Sequence, residues 1–172
     1  HQLDEASQLF LLSDTKTVDM GGGTPILLGQ DAVDLAQHTS AIVNPDEFSI
    51  EANPDSLSDD LLASLATGGV TRVSLGVQSF NDNELKKLGR IHSADLAYDR
   101  VVAAKEYGYD VSVDLMCAIP EQTESSWEFS LSRFISLGVN HVSVYPLTIE
   151  DGTALAKQTQ EKDTLWNVYD VQ

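Results

Sequence analysis

The stretch RVSLGVQS, residues 72–79, alternates between two kinds of side chain and thereby decides the fold class. Positions 73, 75 and 77 are Val, Leu and Val, whereas positions 72, 74, 76 and 78 are Arg, Ser, Gly and Gln. Successive side chains of a strand point to opposite faces, so this strand has one apolar and one polar face. Parallel strands covered on both faces usually consist of continuous apolar residues. The alternation therefore predicts a strand packed against helices on one side only.

The same alternation recurs in three other segments, 47–52 (EFSIEA), 110–116 (DVSVDLM) and 141–145 (HVSVY). An ordinary closed β/α barrel fills its interior with branched aliphatic side chains. An interior lined by Ser, Glu, Gln and Asp instead predicts an open barrel that holds a polar ligand. The chemistry of such a barrel is expected at the carboxyl ends of its strands.

Strands alternate with helices along the whole chain, which is typical of parallel β/α units. We expect a single α/β domain over residues 1–172, with about five strands of a partial, open TIM-type β/α barrel; element order alone would also allow a doubly wound sheet. The predicted strands are 17–20, 47–52, 72–79, 110–116 and 141–146. The predicted helices are 2–12, 30–38, 59–67, 82–88, 94–107 and 124–137, with a last helix beginning near Asp163.

Composition excludes several classes of function. The 172 residues are 42% hydrophobic, as in a globular protein, and no apolar run approaches the roughly 20 residues of a membrane span. A net charge of −17 argues against a nucleic-acid partner and against an anionic membrane surface. The one cysteine, Cys117, cannot form an internal disulfide, which favours a reduced, cytoplasmic setting.

Polar or conformationally special residues follow the predicted strands. Gly21–Thr24 follow the first strand, Glu51 ends the second, Gln78 ends the third and Asp114 lies near the end of the fourth. The glycines would let a ligand approach the backbone, although a tight turn is the more common explanation of such a run. Glu51 could bind a ligand ammonium or hydroxyl group, or pair with Arg72 instead.

Four residues, namely Arg90, His92, Asp114 and Cys117, have both a functional and a structural interpretation. Arg90 could bind a carboxylate through two parallel hydrogen bonds, although a lone arginine usually lies on the surface. His92 could transfer protons, but we favour a role in bracing its loop. Asp114 could hold a ribose diol or pair with an internal charge, and Cys117 is expected to be a buried small residue.

Six motifs, in this order, carry a resemblance to a known family: GGGTP, EANP, RVSLGVQSF, LGRIH, VDLMCAIPEQT and HVSVYPLTIEDGT. Together they resemble the radical S-adenosylmethionine barrel of oxygen-independent coproporphyrinogen III oxidases. They are more similar still to the relatives called haem chaperones. The resemblance extends over about residues 17–155.

The resemblance implies an open barrel of six parallel strands, of which this chain holds about five. It also implies S-adenosylmethionine bound to a [4Fe–4S] cluster, whose reduction yields a 5′-deoxyadenosyl radical. Porphyrinogen or haem would be the partner, and flavodoxin or ferredoxin the electron donor. The residues implied to hold S-adenosylmethionine are Gly22, Gly23 and Thr24 at the methionyl end, Gln78 and Asp114 towards the ribose, and Arg90 at the carboxylate. Glu51 is implied to contact the cofactor or a nearby substrate group. No catalytic residue is assigned.

The sequence departs from the family pattern in two places. The motif CxxxCxxC, whose thiolates bind the cluster, is absent, so we predict no metal ligand in this chain. We interpret the chain as part of a longer protein whose first strand, cluster loop and C-terminal region lie outside residues 1–172. Relatives more often have glycines where this chain has Ala118 and Glu121.

Three functions remain open on these grounds. The first is radical oxidation of a porphyrinogen, the second is non-enzymatic binding and transfer of haem, and the third is a segment that is inactive alone. The motif VSVYPLTIEDGT favours the haem-chaperone branch.

Overall fold

The computed structural model describes residues 2–10, 12–150 and 152–159 of the chain. The strands are β1 Thr17–Met20, β2 Glu47–Ala52, β3 Arg72–Gln78, β4 Asp110–Cys117 and β5 His141–Pro146. The α-helices are α1 Gln2–Leu9, α2 Gln30–Val43, α3 Asp59–Thr67, α4 Asp82–Lys87, α5 Ala94–Glu106, α6 Glu124–Leu137 and α7 Ala154–Thr159. Short 3₁₀ turns lie at Leu12–Asp14, Pro25–Leu28 and Pro54–Ser56.

The five strands form one parallel sheet in the order β1-β2-β3-β4-β5, so each strand pairs with the next strand along the chain. A doubly wound sheet would reverse its strand order at a switch point. The sequential order therefore confirms the predicted α/β fold with a partial, open barrel of five strands.

The two faces of the sheet differ as the alternation predicts. Phe48, Ile50, Val73, Leu75 and Val113 are fully buried and belong to one continuous core. Residues of α2, α3 and α5 complete this core from the outside: Val33, Ala36, Leu62, Leu65, Ala97 and Val101. Burial of this apolar area is the main favourable contribution to folding, and it fixes the polar face of every strand towards the opposite side.

Side-chain caps set several helix ends where the sequence predicts them. The Ser58 hydroxyl accepts a hydrogen bond from the Leu61 amide at 3.2 Å and begins α3. Thr123 begins α6 with a reciprocal capping box that includes Ser126. These caps satisfy amide groups that have no partner within the helix.

The observed boundaries differ from the predicted ones at a few ends. Helix α2 continues past residue 38 to Val43, because Thr39 and Val43 extend its buried side, and it stops at Asn44 in a left-handed conformation. Strand β3 ends at Gln78 rather than residue 79, because Gln78 leaves the extended region with φ 69°. The helix predicted near Asp163 lies outside the described residues.

Among the residues that the structure describes, no helix is both long enough and apolar enough to cross a membrane.

Candidate functional site

A cleft of about 410 Å³ lies at the carboxyl ends of the strands, on the polar side of the sheet. This volume falls within the range of small-molecule sites in proteins. Its lining residues are Gly23, Thr24, Glu51, Ala52, Asn53, Ser74, Gly76, Gln78, Arg90, Asp114 and Tyr145. Six of the seven residues that we associate with S-adenosylmethionine are among them. The seventh, Gly22, donates its amide hydrogen bond to Glu51 Oε2 at 3.3 Å, at the edge of the same cleft.

The glycine turn after β1 has a backbone that other residues rarely adopt. Gly22 and Gly23 have φ angles of 91° and 125°, in the region that favours glycine. A Cβ atom at either position would meet nothing within 4 Å, so the glycines are needed for conformation and they leave the backbone open to a ligand. At Gly21 the reason is space, because a Cβ atom there would lie 3.0 Å from the Glu51 carboxylate.

Glu51 faces the cleft and is half-buried. The alternative pairing of Glu51 with Arg72 does not form: Arg72 Nη1 lies 3.3 Å from Oε2 of Glu47, four residues earlier on β2. The Glu51 carboxylate therefore accepts a long hydrogen bond from Gly22 and remains accessible to a ligand donor.

Asn53 connects the glycine turn after β1 with the turn that carries Arg90. Asn53 was not among the site residues assigned from the sequence. Its Nδ2 donates to Thr24 Oγ1 at 3.0 Å, and Arg90 Nη1 donates to its Oδ1 at 3.4 Å. The signal for Asn53 is its position two residues after Glu51, because residues two apart on extended backbone point to the same side.

Gln78 lies at the end of β3 and is 9% exposed. The register of β3 against β4 shifts between Leu75 and Gln78, and this irregularity turns the end of the strand. A Cβ atom at Gly76 would lie 2.8 Å from Gln78 Nε2 and 3.0 Å from Asn53 Oδ1. Gly76 thus leaves the space that these two side-chain amides occupy at the cleft.

Asp114 on β4 and Tyr145 on β5 line the side of the cleft that these two strands form. Asp114 Oδ2 accepts a hydrogen bond of 3.2 Å from the Ser74 hydroxyl, so its partner is a neutral group rather than an internal charge. The Tyr145 side chain is 55% exposed and lies beside Met116 in the register of β4 and β5. Sequence reasoning noted Ser74 and Tyr145 on the polar face but did not assign them to the site.

Arg90 reaches the cleft from the turn between α4 and α5. Its amide donates to the Leu85 carbonyl at 2.9 Å, and the neighbouring His92 is buried. His92 Nε2 donates to the Val77 carbonyl at 3.2 Å, because a carbonyl can only accept, and Nδ1 lies 3.5 Å from Asp55 Oδ1. These contacts support the bracing role that we favour for His92.

The assembled cleft presents two carboxylates, one guanidinium, two side-chain amides and exposed glycine backbone. Such a set can bind a ligand that has an ammonium group, a carboxylate and vicinal hydroxyls. In the part of the chain that the structure describes, no group of three His, Cys, Asp or Glu side chains could hold a metal ion. Cys117 is half-buried at the end of β4.

The model of the radical SAM superfamily matches residues 2–134. The chain belongs to this superfamily. It is 39% identical over 158 residues to the heme chaperone HemW of Lactococcus lactis, covering 88% of this chain and 41% of that protein. It is also 39% identical over 168 residues to the mitochondrial radical S-adenosyl methionine domain-containing protein 1 of Bos taurus, covering 91% of this chain and 37% of that protein.

Among solved structures, coproporphyrinogen III oxidase (HemN) from Escherichia coli superimposes on 77% of this chain with a TM-score of 0.70 and 28% identity. The match covers 32% of the oxidase chain. This chain thus spans about two fifths of the length of the HemW protein and about a third of the oxidase.

Membership of the superfamily implies S-adenosylmethionine and a [4Fe–4S] cluster as cofactors. The residues of the cleft fit the first of these, because their charges and hydrogen-bonding groups complement an amino acid joined to a ribose. The described residues do not fit the second, since a [4Fe–4S] cluster requires several thiolates and Cys117 is the only cysteine of the chain.

Proposed function

We propose that this chain forms the S-adenosylmethionine-binding part of a radical SAM protein that acts as a haem chaperone. The observation that carries the first half of the proposal is the cleft of about 410 Å³, which gathers residues from the ends of four strands and from two turns. The second half is supported by the 39% identity to a heme chaperone, against 28% to the coproporphyrinogen oxidase.

In the proposed complex, the open backbone of Gly22 and Gly23 and the Thr24 hydroxyl bind the methionyl end of S-adenosylmethionine. Glu51 takes its ammonium group or a nearby substrate group, and Arg90 takes its carboxylate, because each then gains a partner of opposite charge. Gln78 and Asp114 bind the ribose hydroxyls. When bound at a [4Fe–4S] cluster, S-adenosylmethionine would supply radical chemistry through reductive cleavage of its sulfonium.

The placement of the ligand carboxylate at Arg90 can be tested by replacing two cationic side chains, one in the cleft and one outside it. Arg90→Ala removes a cation that lines the cleft, whereas Lys86→Ala removes an exposed cation of the neighbouring helix α4. Equilibrium dialysis with labelled S-adenosylmethionine should show weakened binding in Arg90→Ala and unchanged binding in Lys86→Ala. Equal binding in both variants would contradict the placement of the carboxylate at Arg90. The chain alone should bind no iron and should bind S-adenosylmethionine weakly, since cluster contacts are missing.

The second candidate function is oxidation of a porphyrinogen, which the superposition on coproporphyrinogen III oxidase favours. The two are separated in the full-length protein, reconstituted with iron and sulfide and supplied with an electron donor such as flavodoxin or ferredoxin. Stable haem retention and transfer to an apo-cytochrome, without oxidation of coproporphyrinogen, would support the chaperone. Stoichiometric formation of deoxyadenosine and decarboxylated porphyrinogen would support the oxidase and sink the chaperone proposal.

A further inference from the structure

A buried glutamate belongs to a cluster of hydrogen bonds that the proposed function does not use. Glu84, on α4, is 4% exposed. Its Oε2 accepts hydrogen bonds from Ser79 Oγ at 2.6 Å and from Gln122 Nε2 at 3.0 Å, and its Oε1 accepts one from Ser126 Oγ at 2.6 Å. Burial of a carboxylate is costly unless donors surround it, so these three bonds make the position tolerable.

The three donors belong to three different segments. Ser79 lies in the turn after β3, Gln122 lies in the loop after β4, and Ser126 lies in the first turn of α6. Glu84 therefore joins the carboxyl ends of two adjacent strands, and these strands carry Gln78 and Asp114 of the cleft.

The end of β3 and the loop after β4, which Glu84 joins, both contain residues with a positive φ angle, which is strained for residues other than glycine. Gln78 has φ 69° immediately before Ser79, and Ala118 and Glu121 have φ angles of 59° and 67° in the loop before Gln122. A non-glycine residue with positive φ persists where its surroundings hold it. The contacts beside these residues include the hydrogen bonds to Glu84, the Ser79 amide donating to the Val77 carbonyl at 2.8 Å, the ion pair of Lys87 with Glu121 at 2.9 Å, and the Gln122 hydrogen bond to the Met116 carbonyl at 3.4 Å.

We propose that Glu84 is a positioning residue, which holds Gln78 in its left-handed conformation and thereby directs the Gln78 amide into the cleft. The contact runs through Ser79, whose hydroxyl donates to Glu84 and accepts the Asn81 amide at 3.0 Å. Without Glu84, the turn loses this anchor and Gln78 can relax towards extended backbone, which directs its side chain elsewhere. The consequence for ligand binding rests on the proposed function of the cleft.

A double-mutant cycle on the chain tests the inference with S-adenosylmethionine as the probe. Glu84→Ala should weaken binding by about tenfold, as the loss of a supporting hydrogen bond at a ligand site commonly does. In a Gln78→Ala background, Glu84→Ala should have no further effect, whereas in an Arg90→Ala background it should keep its full effect. Glu84→Gln should recover most of the lost affinity, because its amide oxygen can still accept from Ser79. The exposed Glu106→Ala serves as the matched control.

A second measurement requires no ligand. The backbone HN–Hα coupling and hydrogen exchange of Gln78, recorded by NMR, should show loss of the left-handed conformation in Glu84→Ala and its retention in Glu106→Ala. If Glu84→Ala does not fold, Ser79→Ala removes the same link and should give the same changes.

The outcomes distinguish the inference from the proposed function. Absence of S-adenosylmethionine binding to the unaltered chain would count against the proposed function, and the NMR measurement would still decide the role of Glu84. Retention of the left-handed conformation in the Glu84 and Ser79 variants would overturn the inference. Equal loss of affinity with and without Gln78 would also overturn it.

Discussion

Two glutamates, Glu51 in the cleft and Glu84 on α4, have opposite surroundings. Glu51 is half-buried and accepts one long hydrogen bond of 3.3 Å from a backbone amide, whereas Glu84 is 4% exposed and accepts three, two of them at 2.6 Å. The difference shows how the molecule separates two tasks. The Glu51 carboxylate keeps hydrogen-bonding capacity for a ligand in the cleft, whereas the Glu84 carboxylate uses its capacity to join two loops.

The largest expected effect is on folding stability at Glu84. Glu84→Ala leaves two buried donors, Ser79 and Gln122, and the half-buried Ser126 hydroxyl without their acceptor, and should lower the free energy of unfolding by about 2–4 kcal/mol. Glu51→Ala should change it by less than about 0.5 kcal/mol, since that carboxylate has little to lose. Urea unfolding followed by circular dichroism measures both, and similar losses at the two positions would remove the contrast between them.

When each glutamate is replaced by its neutral isostere glutamine, ligand affinity should fall more at Glu51 than at Glu84. Glu51→Gln keeps the shape of the side chain but removes the charge, so S-adenosylmethionine binding should weaken by about tenfold with no change in unfolding. Isothermal titration calorimetry checks the first and urea unfolding the second. Unchanged affinity would show that Glu51 does not contact a ligand cation.

A smaller effect is expected in the loop that Glu84 supports. Ala118→Gly should raise the free energy of unfolding by about 0.5 kcal/mol, because glycine adopts the observed left-handed angle without strain. Glu121→Gly should raise it by less, because it also removes the ion pair of Glu121 with Lys87 at 2.9 Å. Ala97→Gly, in the buried part of α5, is the opposite control and should lower stability by at least about 1 kcal/mol. Destabilisation by both loop glycines would mean that these positions are not strained.

The smallest effect near neutral pH concerns Tyr109, a second buried polar group whose hydroxyl donates to the Leu62 carbonyl. Burial raises the pKa of the Tyr109 hydroxyl above its ordinary value. The folded protein therefore favours the neutral form, so its stability is complete below about pH 10 and falls as pH rises towards the raised pKa. Tyr109→Phe should lose this alkaline dependence. Thermal unfolding between pH 8 and pH 11 checks it, and an identical slope in both proteins would contradict it.

Much of the fold follows from the sequence because the decisive signals are local. The period of two in RVSLGVQS places Val73, Leu75 and Val77 in the core and Ser74 and Gln78 on the polar side, as the structure confirms. The same alternation predicts a ligand site at the carboxyl ends of the strands, which is where the cleft lies. Neither inference requires knowledge of distant contacts.

The remaining features depend on contacts between distant segments, which one sequence does not reveal. In DNELKK, Glu84 resembles a solvent-exposed helix residue, and its burial depends on Ser126, 42 positions away. The hydrogen bond from Arg90 to Asn53 likewise joins segments 37 positions apart. Helix α2 passes residue 38 because tertiary packing buries its last turn.

The sequential strand order has a consequence for synthesis of the protein. Paired residues of neighbouring strands are separated by 23 to 38 positions, so each strand meets its partner soon after leaving the ribosome. The sheet can therefore grow in one direction while translation continues. In this order β5, which carries Tyr145, would complete the cleft last. Until then the nascent chain would expose the polar side of the sheet to solvent.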